Sequence, residues 1–248
     1  MRVICLVPSL TETLIECGVN VVGRTRFCIH PKDKVDSIAK VGGTKGVNWD
    51  RCAKLNPDIV IFDREENTKP MADECLYDWT ATHITSVNNV GDELIKLALI
   101  LDCQALKKLG QNWKKLAELP DRQFTNWEDV PGVLSLLDND KKEYQHLEYI
   151  IWREPWMAVG ADTFITSMLQ KLGFGNFLTR RPTPYPELTI KDMSHDNTFY
   201  LFSSEPYPFG RHQQQLIDEK FNGAIVDGEV YSWFGIRSYN SLASYLRQ

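Results

Sequence analysis

Several things are missing from this chain of 248 residues. No apolar run approaches the ~20 residues that a bilayer-spanning helix needs, so no membrane-inserted segment is expected. Acidic side chains outnumber basic ones, 33 to 28, for a net charge of −5. No stripe of Lys and Arg breaks that balance, which removes the electrostatic footprint of nucleic-acid binding. The six cysteines (Cys5, Cys17, Cys28, Cys52, Cys75, Cys103) form no C-x-x-C pair, which excludes zinc-knuckle and thioredoxin motifs. They are scattered singly, several in apolar contexts, and are expected as buried reduced thiols; three disulfides are the alternative. There is no G-x-S-x-G nucleophile elbow. Gly42-Gly43-Thr44-Lys45 lacks the spacing of a Walker A loop.

Histidine is scarce as well. Cys28 and His30 stand two apart, and the others are His83, His146, His195 and His212. None lies at metal-motif spacing, so no protein-only metal site is expected. The remaining metal role is a single axial contact from His30 to a metal carried by a ligand. Before the first apolar run, Val3–Val7, stand only Met1 and Arg2. No charged, apolar and small-residue leader precedes it, so the expected location is cytoplasmic unless a leader has been removed.

What is present is a strand–helix rhythm. Val3–Val7, Val19–Gly23, Ile59–Phe62 and His83–Val87 read as strands. Between them lie helices from Pro8 to Cys17, with Ser9 and Glu12 at capping-box spacing, at Asp50–Leu55 and at Met71–Trp79. From Asp92 to Glu118 the pattern is helical, with a break at Asp102-Cys103-Gln104. The second half is polar over much of its surface, as a helix between two domains can be. The segment 121–130 is irregular. Alternation resumes with strands at Leu147–Trp152, Thr198–Ser203 and Ala224–Val226, and helices at Asp162–Leu172, Gly210–Phe221 and Ser238–Leu246. This predicts an α/β fold of two parallel-sheet lobes: a first lobe over 1–102, a linking helix over 103–120 and a second lobe over 121–248.

Four loops at predicted strand ends are rich in binding-type residues: Arg24–Pro31, Val41–Gly46, Trp152–Met157 and Asp227–Arg237. The last brings Trp233, Phe234 and Arg237 together, two stacking faces and a cationic fork. A core-capping tryptophan is the competing reading. Two loops in each lobe suit a ligand clamped in a cleft between lobes. Tryptophan-rich loops with no convincing acid, base and nucleophile favour binding over turnover. Cys28, His30 and Glu65/Glu66 are the residues an enzyme would use. Ser203–Phe209 reads as a rigid strand-to-helix connection, with Glu205 as an exposed acid in the functional alternative.

Taken in order, several of these segments resemble one family. Leu6–Thr13, Val22–Arg26, Lys40–Lys45 and Leu55–Val60 resemble the start of the vitamin B12 and iron-siderophore binding proteins. Ile151–Gly160, Ser203–Phe209 and Asp227–Gly235 are similar to a cobalamin-binding-protein-like branch of it. The resemblance runs nearly end to end. It implies a class III substrate-binding protein of the helical-backbone metal receptor type: two Rossmann-like lobes, one long helix, a non-catalytic role and a periplasmic or cell-surface location. It implies a corrinoid ligand, with ferric siderophore or haem as alternatives, a monomer, and docking on an ABC permease. By motif, Tyr185, Trp233 and Phe234 match ligand-contacting aromatics, and Trp152 and Trp156 lie in the matching second-lobe loop. Arg26, Phe27, His30, Thr44, Lys45 and Arg237 complete the expected ligand set. The sequence departs from the family where a first-lobe aromatic is replaced by Asp63. The two docking glutamates fall at Lys69 and Lys191, leaving Glu66 and Glu205 as substitutes. A corrinoid-handling enzyme or a ligand sensor reusing the fold is the further alternative.

Overall fold

The computed structural model describes residues 1–127, 130–137, 144–193 and 197–246; His195 and part of the irregular 121–130 segment lie outside them. The chain divides into two compact units. The first is Met1–Glu118 with Trp233–Tyr239, and the second is Leu119–Ser232 with Asn240–Gln248.

The first unit opens with β1 (Val3–Cys5), α1 (Pro8–Glu16), β2 (Val21–Thr25) and α2 (Lys32–Val35). It continues with β3 (Ala39–Gly43), β4 (Gly46–Val47), α3 (Trp49–Ala53), β5 (Ile59–Asp63), α4 (Lys69–Asp73) and β6 (Trp79–Thr82). The helices α5 (Val87–Ile100) and α6 (Gln104–Glu118) complete it. Its six-stranded sheet runs β4-β3-β2-β1-β5-β6, parallel throughout except for the antiparallel β3–β4 pair. β1 and β5 are buried along their whole length, which is why both read as continuous apolar runs rather than alternating ones. Ile4, Leu6, Val60, Phe62 and Met71 form the core on one side.

The second unit holds β7 (Val133–Leu136), β8 (His146–Arg153), β9 (Trp156–Ala158), α7 (Phe164–Leu169), β10 (Glu187–Leu188), β11 (Thr198–Ser203), α8 (Gln213–Asp218), β12 (Gly223–Val226) and α9 (Gly228–Ser232). The final helix, α10 (Ile236–Leu246), begins in the first unit and ends in the second. The sheet order is β10-β9-β8-β11-β12-β7, with β8, β11 and β12 parallel and the outer strands antiparallel. Its core is aromatic, built on Tyr200, Phe202, Phe209 and Phe221.

Local chemistry explains where the structure departs from the sequence reading. The first strand stops at Cys5 because Pro8 occupies the first turn of α1, where its missing N–H costs nothing. Val7 is then the N-cap, so Ser9 and Glu12 form no capping box; both are buried within the helix. The expected helix 71–79 is one turn, Lys69–Asp73, and the edge strand is Trp79–Thr82 rather than 83–87. Alternation in Trp-Thr-Ala-Thr suits a strand, and Ser86 begins α5 with Asn89 in a capping box. The helix expected over 210–221 is α8 preceded by a tight 3₁₀ turn, Phe209–His212. β7 was not foreseen, and α9 occupies what reads as loop.

The polar helix α6 packs on α5 within the first unit. It buries Leu106, Leu109, Trp113 and Leu116 on one face, the stripe expected of an amphipathic helix. Two glycines set the closeness of the crossing. A Cβ at Gly110 would lie 2.8 Å from the Gly91 carbonyl oxygen, and one at Gly91 would lie 2.7 Å from that of Gly110. Lys114 and Asp92 pair across the same junction at 2.8 Å.

Candidate functional site

In open α/β sheets, ligands bind beyond the carboxyl ends of the strands, and the β2–α2 loop of the first unit lies there. Its base is locked from beneath by Arg24, which is buried. The Arg24 guanidinium donates to the carbonyls of Val35 (2.9 Å), Cys28 (2.9 Å) and Thr25 (3.2 Å). Cys28 points inward, its Sγ 3.1 Å from the hydroxyls of both Thr11 and Thr25. Burial pushes that thiol above its ordinary pKa. Above this base the loop turns apolar and cationic side chains outward. Phe27 is 46% and Ile29 47% exposed, and the Arg26 guanidinium lies 4.8 Å from the Phe27 ring centroid. Gly43 on β3 lies beside both: a Cβ there would stand in ordinary contact, 3.4 Å from the Phe27 ring and 3.7 Å from the Arg26 guanidinium carbon. His30 is half-buried, edge-on to Trp233 at 5.4 Å.

That tryptophan belongs to a segment of distant sequence held in the first unit. Trp113 Nε1 donates to the Gly235 carbonyl (2.9 Å), and the Ile236 N–H donates to Thr13 Oγ1 (3.0 Å). Arg237 forms a bidentate pair with Glu12, 2.9 Å from Nε to Oε2 and 2.6 Å from Nη2 to Oε1. Its guanidinium also lies 5.4 Å from the Trp233 ring. Trp233 and Phe234 are both buried, 7% and 5% exposed. The capping reading of Trp233 therefore describes this structure, and Arg237 spends its charge on Glu12.

Thr44 and Lys45 form the turn between β3 and β4, half-buried and exposed respectively. The Thr44 carbonyl accepts from Asn67 Nδ2 at 2.9 Å, and Lys45 Nζ donates to the Glu65 carbonyl at 3.1 Å. Asp63 faces inward, accepting from Thr82 Oγ1 (2.7 Å) and the Glu65 N–H (2.9 Å). Burial raises its carboxyl above the ordinary value in spite of these donors.

The second unit does not gather its expected aromatics into one face. Trp152, at the carboxyl end of β8, is 37% exposed and edge-on to Tyr207 at 5.5 Å. Trp156 instead packs on the core: it stacks on Phe209 at 6.1 Å, with the Arg153 guanidinium 4.9 Å from its ring. Tyr185, 41% exposed, lies on a loop that runs beside β9. The Ala158 and Gly160 N–H groups donate to the carbonyls of Pro186 and Pro184. That places Tyr185 level with Val159, away from the carboxyl end of β8 where Trp152 stands.

Comparison with known proteins decides the family. The profile of the periplasmic binding protein family matches residues 3–204. The chain belongs to this family. It is 22% identical to the vitamin B12-binding protein of Vibrio vulnificus over 205 residues, 77% of this chain and 67% of that one. Among solved structures it resembles the periplasmic vitamin B12 binding protein of Vibrio cholerae, with a TM-score of 0.66, 13% identity and coverage of 99% and 96%. It also resembles a periplasmic heme binding protein of Pseudomonas aeruginosa, with a TM-score of 0.71, 14% identity and coverage of 99% and 91%. At those identities the structures establish the fold alone, which is α/β and two-lobed.

As a periplasmic binding protein, the molecule serves ligand binding for transport, with a small-molecule ligand and an ABC transporter as partner. No described helix is long and apolar enough to cross a membrane. The two expected docking acids are both partly withdrawn. Glu66 is half-buried, and burial raises its pKa although Lys45 opposes the shift. Glu205 is half-buried and accepts from Ser232 Oγ at 3.2 Å, because Gly228 lets the chain pass close beside it: a Cβ there would meet Glu205 Cγ at 2.8 Å. Lys69 and Lys191 are exposed. Sequence reasoning missed the roles of Arg24, Glu12 and Tyr207. Of these, only Arg24 carried a signal, as a charged residue inside an otherwise apolar strand.

Proposed function

We propose that the protein captures a large, flat, metal-bearing molecule without transforming it, a corrinoid first, for delivery to an ABC permease. The observation that carries this reading is the outward face of the β2–α2 loop. Phe27 and Ile29 are both exposed on a loop whose base is pinned by buried Arg24. Exposed apolar groups on a rigid base mark a binding surface. Arg26 supplies a cation, and His30 an imidazole, at its border. The similarity to vitamin B12-binding proteins supports a corrinoid. In the other unit, exposed Trp152 stands edge-on to half-buried Tyr207 and offers a further aromatic face.

A non-catalytic role is supported by Cys28, the one thiol on this loop. An activated thiol has a depressed pKa and access to solvent, and Cys28 has neither. His30 favours a second reading, iron porphyrin, since an imidazole suits iron. Calorimetric titration with cyanocobalamin and, separately, with haem tests both. Saturable corrinoid binding weakened at least tenfold in Phe27→Ala/Ile29→Ala supports the proposal. Binding of haem alone, lost in His30→Ala, selects the second reading. Binding of neither ends both.

A further inference from the structure

We propose a second binding site, at the β6 edge of the first unit's sheet, for a small aromatic anion. A cavity of about 550 Å³ opens there between α4 and the strands β5 and β6, within the range of small-molecule sites. Its apolar lining comes from Phe62, Ala72 and Ala81, and one wall is the indole of Trp79. Trp79 is 48% exposed and edge-on to Phe62 at 5.9 Å, so a ring face is left for a ligand to stack on.

The charges around this cavity favour one sign. Arg64 and Lys69 both line it. Among the described residues neither side chain has a carboxylate or carbonyl partner. Asp63 is the acid in the lining, and its carboxylate already receives the Thr82 hydroxyl and the Glu65 N–H. Glu65 beside it is turned to His83, 3.5 Å away. Two cations without an ion-pair partner among the described residues, beside an apolar cavity walled by Trp79, fit a flat ring bearing a carboxylate, sulfonate or phosphate. The ring would pack against Trp79 and the acid would take charge-assisted hydrogen bonds from Arg64 and Lys69. This inference does not rest on the corrinoid reading, because none of these residues belongs to the Phe27–Ile29 face.

The test uses 1-naphthoate as probe and 1-naphthalenemethanol as its neutral counterpart, followed by the shift of the Trp79 indole N–H signal, with Trp79→Phe assigning the signal. The expected result is saturable binding of naphthoate at least tenfold tighter than that of the alcohol, weakening as salt is added. Arg64→Gln/Lys69→Gln should lose at least tenfold in naphthoate affinity, and Phe27→Ala/Ile29→Ala should keep it. Absence of saturable naphthoate binding to the unaltered protein overturns the proposal. Equal affinity for the alcohol, or full affinity in Arg64→Gln/Lys69→Gln, overturns it as well.

Discussion

Arg237 and Glu12 stand 225 positions apart in the chain and meet through two parallel hydrogen bonds of 2.9 and 2.6 Å. The pair ties the Trp233–Tyr239 segment to α1, together with the Thr13–Ile236 and Trp113–Gly235 hydrogen bonds. It is well shielded from water, with side-chain exposures of 24% and 11%. Removing one partner leaves the other charge uncompensated, while removing both costs less. A double-mutant cycle of Glu12→Gln and Arg237→Met, read by urea denaturation, should show a coupling energy of about 1–3 kcal/mol. Additive effects would mean that the pair does not hold the segment.

The α5–α6 crossing depends on two absent side chains. Gly110→Ala would drive a Cβ to 2.8 Å from the Gly91 carbonyl oxygen and equally close to Ile95 Cγ1. Neither neighbour can yield without moving a helix, so a loss of about 1–3 kcal/mol is expected. Gly210→Ala meets nothing within 4 Å and should stay within about 0.5 kcal/mol. The contrast in denaturation midpoints checks the packing.

Asp63 gives stability a pH dependence of known sign. Burial holds its carboxyl above the ordinary value of 3.8, so the folded state keeps this proton at pH values where the unfolded state has lost it. The contribution is most favourable below 3.8 and is lost as pH rises through the folded value. Asp63→Asn removes this dependence while keeping an acceptor for the Glu65 N–H. The melting temperature of the unaltered protein, relative to Asp63→Asn, should therefore fall between pH 4 and pH 7. A difference that does not change with pH would contradict the assignment.

The thiols divide by burial. Burial raises five of them: Cys5 to about 12, Cys17 and Cys52 to about 11, and Cys28 and Cys75 above their ordinary value. Access is what separates them: Cys5, Cys28 and Cys52 are buried, whereas Cys17, Cys75 and Cys103 are partly exposed. Ellman's reagent at pH 8 should reach only the second group in the folded protein. Cys5, Cys28 and Cys52 should respond after unfolding. Rapid native labelling of Cys28 would reopen a role for it in chemistry.

Much of the fold was legible because its centre is written in continuous apolar runs. Val3–Cys5, Ile59–Asp63, Thr198–Ser203 and Gly223–Val226 are buried parallel strands, and such strands announce themselves. Edges were less legible. Trp79–Thr82 is half-exposed and borders a one-turn helix, so periodicity over so few residues misplaced both. The candidate site was legible as loops but not as roles. Trp233 reads the same whether it caps a core or faces a ligand, and only the placement of His30 and Arg237 around it decides. Glu12 sits at capping-box spacing from Ser9, and no local pattern connects it to Arg237. Trp152 and Trp156 share a loop, yet the hairpin between β8 and β9 sends one outward and the other onto Phe209.

The measurement that tests the central claim most directly is quenching of tryptophan fluorescence by cyanocobalamin, corrected for ligand absorbance, in the unaltered protein and in Phe27→Ala/Ile29→Ala. The account predicts saturable quenching, with affinity reduced at least tenfold, about 1.4 kcal/mol, when the Phe27–Ile29 face is removed. Saturable quenching of equal strength in both proteins would contradict it, because the corrinoid would then bind without the face on which the proposal rests.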